Sequence, residues 1–99
     1  MKDIHMERVP ECVKVSTDMN VLEEANVITA NDRRKDYGDA SVQVRNACAM
    51  WEVILNTKVT ADQFCLCMIA LKMTRQMANS KRDNMVDIAG YARVWEMCQ

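Results

Sequence analysis

Proline and glycine are nearly absent from this chain of 99 residues, with one Pro and two Gly. Few turns can therefore demand a left-handed backbone or a fixed φ, which excludes loop-rich all-β architectures and suits helices joined by short connections. Charge of one sign is also lacking: 13 basic residues stand against 14 acidic ones, for a net charge of -1. That balance speaks against bulk nucleic-acid binding through phosphate neutralisation and against a polybasic membrane surface. No apolar run approaches the roughly 20 residues that span a bilayer. The first ten residues, MKDIHMERVP, contain no apolar core of a signal peptide, so the expected location is cytoplasmic.

The single His5 lies in a polar stretch with no ligand partner beside it. Five cysteines, at 12, 48, 65, 67 and 98, are odd in number and match no disulfide framework. Cys65 and Cys67 are two apart in a helical stretch, so they point about 200° apart and cannot chelate one metal. The expectation is reduced, mostly buried thiols. Glycine-rich phosphate loops, GxSxG, HExxH and CxxC patterns are all missing.

What is present is helical periodicity in one domain. Residues 1–17 read as an irregular segment and 18–99 as a single helical domain. Asn20 with Glu23 three residues on has the form of a capping box, opening a helix whose stripe is Leu22, Ala25, Ile28 and Thr29. Gly38 stops that helix, and Asp39 or Ser41 caps the next, whose stripe is Val44, Ala47, Cys48, Trp51 and Leu55. Thr60 with Gln63 forms a second capping box. Residues 64–71 are then apolar without interruption, which predicts a helix buried on every side. Three or four helices cannot cover such a helix, so the pattern predicts self-association as a dimer or tetramer. Ser80 with Asp83 reads as a third box, opening a last helix that faces the core with Met85, Ile88, Ala89, Ala92 and Trp95. Gly90 inside this helix costs about 1 kcal/mol relative to Ala, so a close approach is expected there.

Charge is concentrated in NDRRKDYGDA, residues 31–40, where three cations and three anions surround Tyr37 and Gly38. Two further cations, Lys72 and Arg75, sit where the third helix's apolar stripes would continue. Half-buried cations need partners. In one reading Arg75 pairs with Asp87 and Lys72 with Asp83 in an internal network that fixes helix register. In the other, the same groups line a pocket with Asp32, Arg33, Tyr37 and Tyr91. There the cations would hold phosphate, with Arg offering a two-pronged donor geometry, and Tyr37 would stack on a base. Asp83 and Asp87, i and i+4 on one face, are the best carboxylate pair for Mg²⁺.

The blocks DRRKDYGDA, MIALKMTRQ and KRDNMVDIAGYA, in this order, resemble a family of small phage and prophage proteins carrying Asp-Arg-x-x-x-Tyr-Gly-Asp, Lys-x-x-Arg and Asp-Asn-x-x-Asp-x-x-Gly-Tyr segments. The resemblance covers roughly residues 31–93. It extends distantly to the nucleotide-modification-associated domain and to MazG-like nucleotide pyrophosphohydrolases, which are all-α, usually oligomeric and use Mg²⁺. It implies an all-α, MazG-like bundle of about four helices whose pocket accepts a nucleoside phosphate. The motif residues are then Asp32, Arg33, Tyr37, Gly38, Lys72, Arg75, Asp83, Asn84, Asp87 and Tyr91. Asp87 is the candidate catalytic group if hydrolysis occurs. The ExxE metal-binding pair of the MazG-like enzymes is replaced here by Lys72 and Arg75, the opposite charge. The expected function is therefore binding of a nucleotide or related phosphorylated metabolite, with pyrophosphohydrolase-like activity left open. The alternatives are a non-enzymatic interaction protein and a decoy that sequesters a host signalling nucleotide.

Overall fold

A computed structural model describes residue 16, residues 18–32 and residues 39–99, with the backbone alone for 31 and 32. The expectations placed on residues 1–15, 17 and 33–38, among them Gly38 as a helix stop and the solvated His5, lie outside the described residues. The fold is a small all-α bundle. Helix α1, Val21–Val27, runs on into a π-helical turn, Ile28–Asp32; α2 is Ala40–Leu55, α3 Ala61–Ala78 and α4 Arg82–Met97. No described helix is long and apolar enough to cross a membrane.

Local chemistry sets most of the helix ends. The Glu23 amide donates to the Asn20 side chain at 2.8 Å, and the Asn20 amide donates back to Glu23 at 3.2 Å, completing the capping box. Asp39 accepts from the Ser41 amide at 2.9 Å and opens α2. Asn56 closes α2 in the left-handed region, at φ 55°, the conformation glycine usually supplies. Thr60 and Gln63 form the second reciprocal box, and Glu52 accepts from the Val59 amide at 2.9 Å, pinning the turn between α2 and α3. The third expected box does not form. Lys81 stands at the N-cap of α4 without a side-chain cap, and α4 begins at Arg82. Gln76 takes over instead: it accepts from the Lys81 amide at 2.9 Å and from the Asn84 side chain at 3.0 Å, while donating to Ser80 at 3.0 Å.

The last two helices lie antiparallel. Asp62 meets Trp95, Lys72 meets Asp87 and Gln76 meets Asn84, so numbers fall along α4 as they rise along α3. The other side of α4 receives α1, through Arg82 on Glu24 and Arg93 on Asn26. One core cluster joins Val44, Cys48, Cys65 and Val94. Aromatic rings link three helices: Trp51 lies 4.8 Å from Phe64, which meets Tyr91 edge-on at 6.5 Å.

Three expected faces are corrected. In α1, Leu22 is exposed, whereas Val27 is buried beside Ala25; these two stand about 200° apart, so α1 is covered on two sides. In α4 the buried residues are Val86, Gly90 and Val94, while Met85, Ala92 and Trp95 are exposed. The small 86/90/94 stripe lets α1 approach, and a large residue there would hold it off. In α3, Cys65 is the buried residue, and Leu66, Leu71, Met73 and Met77 are open to solvent. Leu55, placed on the α2 stripe, is likewise exposed in its last turn. Cys67 is exposed as well, so the thiols are not uniformly buried.

Gly90 is buried against Thr29, whose hydroxyl donates to the Ala25 carbonyl at 2.9 Å. A Cβ at position 90 would lie 3.6 Å from Thr29 Cγ2, an ordinary contact. Gly90→Ala should therefore stabilise the domain by up to about 1 kcal/mol, a rise of about 4–8 °C in Tm. Gly90→Leu should lower Tm by driving α1 away; differential scanning calorimetry reads both.

Candidate functional site

The register of α3 against α4 decides which charges meet. Lys72 Nζ lies 3.0 Å from Asp87 Oδ2, with the side chains 15% and 32% exposed. Neither of the two expected pairs forms: Lys72 takes Asp87, the residue expected for Arg75, and it is Asn84, next to Asp83, that meets α3, at Gln76. Arg75, one turn beyond Lys72, is exposed and forms no ion pair with a described residue. Asp83 is exposed and is likewise unpaired among the described residues.

Beside the Lys72–Asp87 pair, Asp87, Gly90 and Tyr91 of α4 face Thr29 and Ile28 across a cavity of about 30 Å³. That volume holds a water or two. Tyr91 is half-buried and held by the edge of Phe64. The ion pair thus joins α3 to α4, with Tyr91 one turn along α4 from Asp87 and Arg75 exposed one turn along α3 from Lys72. Arg33 and Tyr37 lie outside the described residues, as does the side chain of Asp32. The π-helical turn that lines the cavity ends at Asp32, immediately before them.

Among the described residues no three His, Cys, Asp or Glu side chains converge on a point, and Asp87, the candidate base, is engaged by Lys72. The thiols offer no nucleophile in the core. Burial, with the neighbouring Cys98 and Cys48, pushes the Cys65 thiol up to about 11, and burial raises Cys48 and Cys98 as well.

Thr29, expected on the α1 stripe, is buried and hydrogen-bonded. Two features carried no signal in the sequence: Gln76 organises the α3–α4 turn, and Asp62 accepts from the Trp95 indole and joins the far ends of the same helices. Neither has a local pattern, because each depends on how α3 and α4 are registered.

Residues 20–99 match the family described as "Domain of unknown function (DUF6378)". The chain belongs to that family. It is also similar to the "Gene 55 protein" of Mycobacterium phage L5, with 36% identity over 83 residues, covering 82% of this chain and 53% of that protein. The chain therefore spans about half the length of this curated relative, and a phage homologue accords with the resemblance to a small phage family. No solved structure matches it.

Two measurements check the site. A double-mutant cycle of Lys72→Ala and Asp87→Ala should give a coupling of about 1 kcal/mol, between the values for exposed and buried pairs. At pH 8, iodoacetamide should modify Cys67 quickly. Cys65, a neutral thiol at that pH, should react only on unfolding; mass spectrometry of peptides reads the order.

Proposed function

We propose that this member of the family binds a nucleotide or a related phosphorylated metabolite at the cationic end of α3. The observation that supports the reading is the pairing of Lys72 with Asp87, drawn from two separate sequence blocks, beside a cavity that Asp87 and Tyr91 line, with Arg75 open to solvent one turn away. Lys72 supplies a point charge and Arg75 a planar fork for phosphate oxygens. Asp87 orients Lys72, and Tyr91 offers a ring and a hydroxyl to base or ribose. Asp32, Arg33 and Tyr37, which the sequence pattern groups with these residues, are further candidates for the same ligand. A cavity of about 30 Å³ cannot engulf a nucleotide, so the ligand lies across the surface with its phosphates at Arg75. The reading is of binding, with Asp87 the candidate group if hydrolysis also occurs. Sequestration of a nucleotide in the host cytoplasm is the biological form that binding without turnover would take.

A second reading is favoured by the same ion pair. Lys72 and Asp87 satisfy each other, as the register-fixing element of a non-enzymatic interaction protein would require.

Thermal-shift measurements against nucleoside mono-, di- and triphosphates, with and without Mg²⁺, separate the two. A ligand at 100 times its Kd stabilises by about 2.7 kcal/mol, well above a detectable shift. Arg75→Ala should leave the ligand-free Tm within about 0.5 kcal/mol of wild type and weaken binding about tenfold or more. If no nucleotide moves the wild-type Tm, the binding reading fails and the interaction protein stands.

A further inference from the structure

On α3, Leu66, Ala70, Met73 and Met77 recur at intervals of four, three and four, the spacing of a coiled-coil seam. All four are exposed: Leu66 is 64%, Met73 54% and Met77 90% accessible, and Ala70 is open beside them. Next to the seam, α4 contributes Ala92 and Trp95, the latter 41% exposed. Leu66, Ile69, Ala92 and Trp95 border an apolar groove of about 360 Å³ at the start of α3, with Asp62 at its rim. Met73 and Met77 project at the other end.

We propose that this face is the interface of a homodimer, in which two copies of α3 pack antiparallel about a two-fold axis near residues 71 and 72. The face is complementary to itself. In antiparallel register, Leu66 lies opposite Met77 of the second copy and Ala70 opposite its Met73, twice over, as a two-fold axis requires. Each copy's projecting methionines then enter the other's groove, and Ala70 lets the backbones approach. The same register brings Asp62, beside the groove, to the end of the second copy that carries Lys81, an exposed cation.

The four large residues alone supply more than half of the apolar area that a standard interface needs. A large aliphatic side chain carries on the order of 100 Å² of apolar surface and a tryptophan about 200 Å². At the exposures above, the four large residues leave roughly 250–300 Å² open before the alanines and Ile69 are added. A standard interface removes about 800 Å² per partner, a little over half of it apolar. Among the described residues the buried apolar set is small: Ala25, Val27, Val44, Cys48, Cys65, Val86 and Val94. A domain this size with so thin a core gains most from a permanent partner, and a second copy is always present. The proposal does not rest on nucleotide binding.

Sedimentation equilibrium of the full chain at about 100 µM tests it. The expected mass is twice the 11.4 kDa of the chain. Met77→Glu, at a position that contributes nothing to the monomer core, should give the single-chain mass with the helical circular dichroism retained. Val53→Glu, 78% exposed on α2 away from the seam, should remain a dimer. A monomeric wild type overturns the proposal. So does a dimer that survives Met77→Glu, or one that Val53→Glu breaks as readily.

Discussion

The chain turns back on itself at residues 79–81, and the register in which α4 then lies along α3 governs everything else. Gln76 holds that register at the turn, with bonds to the Lys81 amide, Ser80 and Asn84. The indole of Trp95 on Asp62 holds it at the far end. Between these two clamps the pairing of Lys72 with Asp87 and the seating of Tyr91 on Phe64 follow geometrically. A shift by one residue would turn these side chains by about 100° and separate all of them.

Helix α4 packs against α1, α2 and α3. One occupied face carries Val86 and Gly90 toward α1, with Val94 continuing into the core beside Val44, Cys48 and Cys65; the other carries Asp87 and Tyr91 and looks toward α3. Met85, Ala92 and Trp95 remain exposed, although the Trp95 indole reaches Asp62 at the edge of α3. Residues that read as a core face are therefore apolar without being enclosed. The candidate site sits on the boundary between the two occupied faces, which is why charged and aromatic groups meet there beside a small cavity.

The helices themselves were legible because their ends are written locally. Asn20 with Glu23, Asp39 with Ser41, and Thr60 with Gln63 act within a few residues of one another, and each forms the bond that the pattern predicts. The pattern Ser80-x-x-Asp83 is just as good on paper, yet Gln76 outcompetes it from the preceding helix. Faces were harder to read than ends. Gly90 read as a point of close approach, but it faces only the Thr29 methyl at ordinary contact distance, and Thr29 is sixty-one positions away in the sequence. Lys72 and Asp87 both stood out in the charge pattern, but their pairing with each other did not, since a charge pattern alone does not fix which turn of one helix stands opposite which turn of another.

Much of the open apolar surface is methionine: Met50, Met73, Met77 and Met85 all reach solvent. Unbranched thioethers adapt to irregular surfaces at little steric cost, which makes such a face adhesive without demanding a close-fitting shape. They are also chemically labile. Peroxide converts each into a polar, chiral sulfoxide, so the side chains that make this surface sticky would make its stickiness answer to the oxidant level around the protein.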